Sequence, residues 1–234
     1  MKIFQKGFNV SQDGPGNRLV FHLFGCNMRC PWCANPEGLF GVPVEISDRE
    51  IVRLCIESRP LFYGGGGATF TGGEPTAQFQ SLQKVLTALK KSGINTALET
   101  NGTNKKLPLL FPLVDHLYID CKHTDDGVHR AQTGVSNAIT LQNIAAAAKK
   151  HQGLTVRIPL INGFNTDQRS LNDFIGFLSP LGIEAELLAY HEFGKHKWKN
   201  FGREYTVDNG TVDSDILTKF KTEIHSNGIK TVST

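Results

Sequence analysis

Apolar and polar positions along this chain follow two rhythms that take turns. Short runs of Val, Leu, Ile and Phe, stopped by glycine or an acid, predict buried strands, and stretches with apolar residues three and four apart predict helices. RLVFHLFG, residues 18–25, is the first strand. Ser47-Asp48-Arg49-Glu50 has the Ser-x-x-Glu form of a capping box and opens a helix toward Ser58, stopped by Pro60. ATFT follows four glycines and ends at Gly72-Gly73, a second strand. Leu82, Val85, Leu86 and Leu89 then recur at helical spacing until Gly93 closes the helix. Further strands fit residues 94–99, 116–120, 154–160 and 185–190, and further helices fit 137–151, 170–178 and 213–226. IKTVS, 229–233, reads as a short last strand.

About six strand-then-helix units in succession imply a parallel sheet with helices covering its outside. Right-handed crossovers leave a full barrel, an incomplete barrel or a doubly wound open sheet. At 234 residues the chain is slightly short for eight units, which favours the α/β incomplete parallel barrel of six units in a single domain spanning residues 1–234, its core about 15–205.

Polar residues collect where these strands end. The first strand runs into Cys26, the second into Gly72-Gly73-Glu74, the third into Glu99-Thr100-Asn101, the fourth into Asp120-Cys121-Lys122 and the sixth into Tyr190-His191. Arg157 interrupts the fifth between Val156 and Ile158. In parallel α/β sheets the C-terminal strand ends house the chemistry. Polar loop residues follow many strands, which accounts for any one case but poorly for the set.

Composition narrows the classes. A hydrophobic fraction of 39% and a charged fraction of 20% are those of a soluble globular protein. A net charge of +3 with no dense basic tract gives no support to nucleic acid as a partner. The most basic stretch, Lys195 to Lys199, falls in an expected loop and reads as solvated surface, or as a dock for an acidic partner or nucleotide. No apolar run approaches the ~20 residues that cross a bilayer, and the N-terminus lacks a secretory core, so the expected location is the cytoplasm.

There thiols stay reduced, and five cysteines with three of them in CNMRCPWC read as a metal or cluster site plus two strays. Structural zinc wants a fourth ligand, and His22, the nearest candidate, lies inside an apolar strand. A cubane 4Fe–4S cluster held by Cys26, Cys30 and Cys33 instead keeps one iron free of protein, open to a substrate or cofactor. Cys55 shares a helix with Ile51 and Leu54 and reads as core. Period-two alternation points Cys121 away from the side that Asp120 and Lys122 share. That pair is either a plain salt bridge or part of the site. A buried Arg157 needs a partner, and a carboxylate suits it. His191 is equally readable as a satisfied core histidine. Glycines at 72 and 73 allow a close backbone approach to a ligand, and Glu74 offers a carboxylate to an ammonium group.

Taken together these residues resemble the radical S-adenosylmethionine (SAM) superfamily, whose signature is a CX3CX2C loop with an aromatic, here Trp32, before the last cysteine. DGPG at 13–16, CNMRCPWCANPEG, TFTGGEP, ETNG, IDCKH, TGVSN, VRIPLINGFN and LLAYHEFGKHKW, in that order, resemble the glycyl radical enzyme activating enzymes, the group of pyruvate formate-lyase activase. The resemblance implies an incomplete (β/α)6 barrel with a 4Fe–4S cluster on Cys26, Cys30 and Cys33 and SAM on the fourth iron. It places Gly72, Gly73 and Glu74 at the SAM amino group, and Lys122, Arg157 and His191 at its carboxylate, ribose or sulfonium side. Glu99, Thr100 and Asp120 match a monovalent-cation site, and Asp13 the element that meets the target peptide. The implied reaction cleaves SAM with one electron and takes the α-hydrogen of a glycine in a partner enzyme. The implied partners are that glycyl radical enzyme and a reduced flavodoxin or ferredoxin, and the implied state is a monomer. A loop reading CPWCANPE often accompanies a ferredoxin-like insert, yet only Cys55 lies between Cys33 and Gly72, so none is expected. A radical SAM enzyme acting on a small molecule or another peptide, and a non-catalytic iron–sulfur or zinc module, are the alternatives.

Overall fold

The computed structural model describes residues 1–10 and 12–232, so Ser233 of the last expected strand lies outside the described residues. In chain order the elements are β1 (Lys2–Val10), β2 (Asn17–Leu23), α1 (Glu37–Phe40), β3 (Val44–Glu45), α2 (Asp48–Glu57), β4 (Gly67–Gly72) and α3 (Phe79–Lys91). Then come β5 (Thr96–Thr100), β6 (His116–Asp120), α4 (Asp126–Thr133), α5 (Ala138–Lys150), β7 (Leu154–Leu160) and α6 (Gln168–Leu178). β8 (Glu184–Ala189), α7 (Lys195–Lys199), α8 (Ser214–Ser226) and β9 (Lys230–Val232) complete the chain. All strands join one sheet in the order β3-β1-β2-β4-β5-β6-β7-β8-β9. From β2 to β9 every neighbour is parallel, whereas β1 runs antiparallel to both β2 and β3. β3 and β9 end the strand order on opposite sides, so among the described residues the sheet does not close.

Period-two alternation gives the parallel strands two unlike faces. The outer face is apolar and in register: Phe21 pairs with Phe70, Phe70 with Leu98 and Leu98 with Leu117, and beyond them Ile119 pairs with Val156 and Val156 with Ala185. Against this layer the helices bury Ile51 and Cys55 of α2, the leucines of α3, Phe174 of α6 and Phe220 of α8. Cys55 and Cys121 both belong to this core, as expected for the two stray cysteines. Ser47 caps α2 by accepting the Glu50 amide at 3.1 Å.

The inner face is polar. Asp120, Arg157 and Glu186 lie side by side across β6, β7 and β8, and Glu99 lies beside Tyr118 across β5 and β6. Nearer the N-terminal strand ends Arg18 is wholly buried and gives its guanidinium to Thr69 Oγ1, Asn95 Oδ1 and the carbonyls of Pro15, Gly65 and Ala68. Burial brings its pKa down to about 10, because carbonyl dipoles replace only part of the lost hydration.

The sequence pattern predicted the parallel strands and α2, α3, α5, α6 and α8 within a few residues. It did not predict β1, β3, α1, α4 or α7. β1 is mostly exposed, so it carries no core-facing stripe, and α1 and α7 are single turns too short for a helical period.

The ends of β2 and β4 meet without room for side chains. The Gly73 amide donates to Leu23 O at 2.9 Å and the Glu74 amide to Gly25 O at 2.7 Å. A Cβ on Gly73 would fall 2.2 Å from Gly25 O, against backbone that cannot give way cheaply. Gly73→Ala is therefore expected to cost about 1–3 kcal/mol, the usual range for overpacking. Urea titration checks this, and an unchanged midpoint would contradict the close approach.

Candidate active site at the cysteine loop

The loop after β2 carries the three clustered cysteines, and its backbone is tied down from several sides. Gly25 donates to Gly38 O at 2.8 Å, Arg29 N to Thr133 O at 2.9 Å, and Cys33 N to Cys30 O at 3.1 Å. The Arg29 guanidinium turns back onto the carbonyls of Cys26 and Met28, each at 2.8 Å. Cys26 Sγ accepts the Met28 amide at 3.4 Å. Asn101, on the loop after β5, reaches Cys26 Sγ at 3.9 Å and Asn27 Oδ1 at 2.9 Å.

The three cysteines face a cavity of about 620 Å³ above the C-terminal ends of the strands. Trp32, Gly72 and Gly73 line the same cavity, as do Glu99 and Thr100 from β5. Asp120, Lys122, Arg157 and His191 complete its wall. Of the residues expected at the site, all but Glu74 and Asp13 therefore meet around one space. A wider groove of about 1000 Å³ past Met1, Phe24 and Phe79 holds none of them.

Each expected residue has a partner that defines its present work. Glu74 is 2% exposed, and its carboxylate accepts from Thr76 N at 2.9 Å, Thr100 Oγ1 at 2.6 Å and Asn101 N at 2.8 Å. It fastens the loop after β5 to the loop after β4. Gly72 and Gly73 make room first for the β2–β4 junction. Lys122 pairs with Asp120 at 2.6 Å. Burial opposes the Lys122 charge, yet the Asp120 carboxylate beside it raises its pKa above the ordinary lysine value. Asn165, fully buried, fixes the Lys122 backbone by donating to its carbonyl at 2.9 Å. Asp13 accepts from the Asn9 amide side chain, and Thr69 Oγ1 holds its carbonyl at 2.7 Å. His191 is exposed at the rim and stacks on Phe193, with ring centroids 4.4 Å apart. Trp32 packs on Phe164 at 4.6 Å. His22 lies against Phe4 at 5.5 Å and does not line the cavity.

Arg157 is already doubly paired. Its Nε donates to Glu186 at 2.7 Å and its Nη1 to Glu99 at 2.6 Å, while Nη2 reaches Gln12 O at 3.2 Å. The guanidinium also lies 4.1 Å from the centre of the Tyr118 ring. Burial works against the cation, and the two carboxylates overcome it, raising its pKa above the ordinary arginine value. With Lys122 and Asp120, the wall carries two cations and three acids.

Glu186 was not singled out from the sequence. The signal was an acid between Ala185 and Leu187 in an apolar strand, the same kind of interruption that marked Arg157. The basic stretch at 195–199 departs from the expected wet loop. It forms α7, whose Trp198 is buried and donates to Cys33 O at 2.9 Å. Lys197 reaches Ala34 O at 3.2 Å and Glu37 at 3.0 Å.

Among the described residues, no three His, Cys, Asp or Glu side chains converge on a point that holds one metal ion. A tetrahedral zinc requires such convergence. Three thiols lining one cavity are the donor type that a multi-iron cluster takes, each thiolate binding a different iron, so the donor set fits a 4Fe–4S cluster.

A family model described as Radical SAM superfamily matches residues 20–175, well over half the chain. This chain belongs to the radical SAM superfamily. The cofactors of that superfamily are a 4Fe–4S cluster and SAM. The protein is 30% identical to 4-hydroxyphenylacetate decarboxylase activating enzyme of Clostridioides difficile strain CD196, covering 96% of this chain and 92% of that one. That alignment spans 293 positions, more than the 234 residues here, so the relative carries segments this radical SAM protein lacks. It is 34% identical to pyruvate formate-lyase 1-activating enzyme of Escherichia coli K12, covering 84% of this chain and 83% of that one. Among solved structures, a domain of pyruvate-formate lyase-activating enzyme from Bacteroides vulgatus superposes with a TM-score of 0.58 at 26% identity, covering 71% of this chain and 98% of that one.

Two outcomes follow from this geometry. Burial pushes the thiol of Cys26 up to about 11 and that of Cys30 up to about 12, so both are protonated near neutrality. Metal uptake must displace these protons, so reconstitution followed by iron absorbance should improve steadily from pH 6 to pH 9; a flat profile would contradict protonated thiols. Arg157→Ala leaves Glu99 and Glu186 buried without their shared cation. Its expected cost is about 3–5 kcal/mol in chemical denaturation, where wild-type stability would show that the pairing is dispensable.

Proposed function

We propose that this protein activates a glycyl radical enzyme, with Cys26, Cys30 and Cys33 holding the cluster and SAM filling the cavity beside it. The observation that carries the reading is the meeting of three thiols and the charged ends of β5, β6 and β7 around one space, in a chain whose full-length relatives include two such activating enzymes. When bound, the cluster and SAM supply one-electron cleavage of a sulfonium C–S bond, and with it a carbon radical able to take a glycine α-hydrogen.

The protein's own residues prepare that chemistry by position and charge. Three acids against two bases leave the wall with excess negative charge, which suits a cofactor carrying a sulfonium and an ammonium. Because Arg157 is committed to Glu99 and Glu186, Lys122 is the cation better placed for an anionic group of SAM. Glu74 acts by holding Thr100 and Asn101, and the carbonyls around Gly72 and Gly73 are then set for an ammonium. His191 and Phe193 offer a stacked aromatic pair at the rim, fit for a planar base. Gln12 lines the cavity, and Asp13, next to it but outside the lining, belongs to the segment that an extended target would meet. A monovalent cation at Glu99, Thr100 and Asp120 would compete with Arg157 and Lys122 for the same carboxylates.

The electron donor is a reduced flavodoxin or ferredoxin, the working form a single-domain monomer without a ferredoxin-like insert, and the location the cytoplasm. Among the described residues no helix is long and apolar enough to cross a membrane.

The test mixes anaerobic loaded protein, a chemical reductant, SAM and a candidate glycyl radical enzyme, and records electron paramagnetic resonance spectra. A glycyl radical doublet on the partner is expected, together with its absence when Cys30→Ala replaces the wild type. SAM consumption with a small molecule transformed and no partner radical would favour the other radical SAM reading.

A further inference from the structure

The segment after β8 does two things within a few residues. It lines the cavity with His191 and Phe193, and it then grips the far end of the cysteine loop. At Gly194 the two backbones touch: a Cβ there would fall 2.5 Å from Ala34 Cα and 2.7 Å from Cys33 O. Lys197 holds Ala34 O and Glu37, and Trp198 Nε1–H holds Cys33 O. Trp198 is only 9% exposed, and its ring packs on Phe40 at 5.8 Å and edge-on to Tyr205 at 5.7 Å. Phe40 in turn meets Phe201 at 6.2 Å and lies under the Arg203 guanidinium at 4.9 Å.

A five-residue helix has no stability of its own. α7 persists because it packs on the loop, and the loop end is ordered because α7 holds it. The Trp198 donor is directed at the backbone carbonyl of the last cysteine, not at solvent or at its own helix. We propose that residues 194–205 form a clasp for the cysteine loop, with Trp198 as the positioning residue for Cys33. It fixes the Cys33 backbone so that the thiolate stays aimed at the cluster. The positive end of its N–H dipole also favours the extra negative charge of the reduced state, as outer hydrogen-bonding partners do at other metal sites.

The inference rests on the cluster-binding part of the proposed function and not on the identity of the target. Trp198→Phe keeps most of the aromatic packing and removes the N–H. After anaerobic reconstitution, three quantities are compared with wild type: thermal stability of the apo form, the rate of iron release to a chelator, and the midpoint potential of the cluster without SAM. The expected result is a variant that folds, loads iron, releases it several-fold faster and has a more negative potential. Release and potential equal to wild type would overturn the clasp and leave Trp198 as packing alone. Should Trp198→Phe fail to fold, Lys197→Met removes the neighbouring contacts to Ala34 and Glu37 from a half-buried side chain. Faster iron release in that variant supports the clasp, and wild-type release overturns it. A wild type that loads no cluster would instead overturn the cluster assignment itself.

Discussion

A guanidinium buried between two carboxylates holds the inner face of this sheet together. Arg157 is 7% exposed and pairs with Glu99 from β5 at 2.6 Å and with Glu186 from β8 at 2.7 Å. Placed there alone, any one of these charges would be driven neutral or would destabilise the fold. Paired, they let a parallel sheet keep a polar interior beneath a cavity while its outer face packs as an ordinary apolar layer. The division into two faces follows from period-two alternation, so the same strands that build the core also deliver the chemistry.

The cysteine loop depends on that scaffold at both of its ends. Its start is set where Gly73 and Glu74 meet β2 and Gly25, a contact that tolerates no side chain. Its end is set by Trp198 and Lys197, which arrive from beyond β8. Between these points Arg29 and Asn101 secure the middle. Three cysteines in eight positions thus become part of one wall of the cavity. The open iron expected from a three-thiol set is consistent with a cavity that continues past the cysteines to Lys122, Arg157 and His191.

Much of this was legible in the sequence because strands in parallel sheets are strongly patterned. VRIPL and FHLF could be placed without a structure, and so could the rim they lead to. Partners were not legible. Arg157 is a conspicuous interruption of an apolar strand, but nothing local says that Glu186, on the next strand, and Glu99, from two strands earlier, take its charge. Glu74 reads as a carboxylate for a ligand, and the fold spends its oxygens on Thr76, Thr100 and Asn101. KHKWK reads as a wet loop because a single helical turn has no period to detect. Its function is fixed by the carbonyls of Cys33 and Ala34, more than a hundred and fifty positions away.

Three thiols would leave one iron of a cubane cluster without a protein ligand and open to SAM. Protein purified without oxygen is analysed for iron and sulfide, then reduced and examined by electron paramagnetic resonance before and after SAM is added. About four irons per chain are expected, as a cubane cluster requires, together with a spectrum that changes on SAM addition. Zinc in place of iron, or a full cluster whose spectrum ignores SAM, would contradict that open iron.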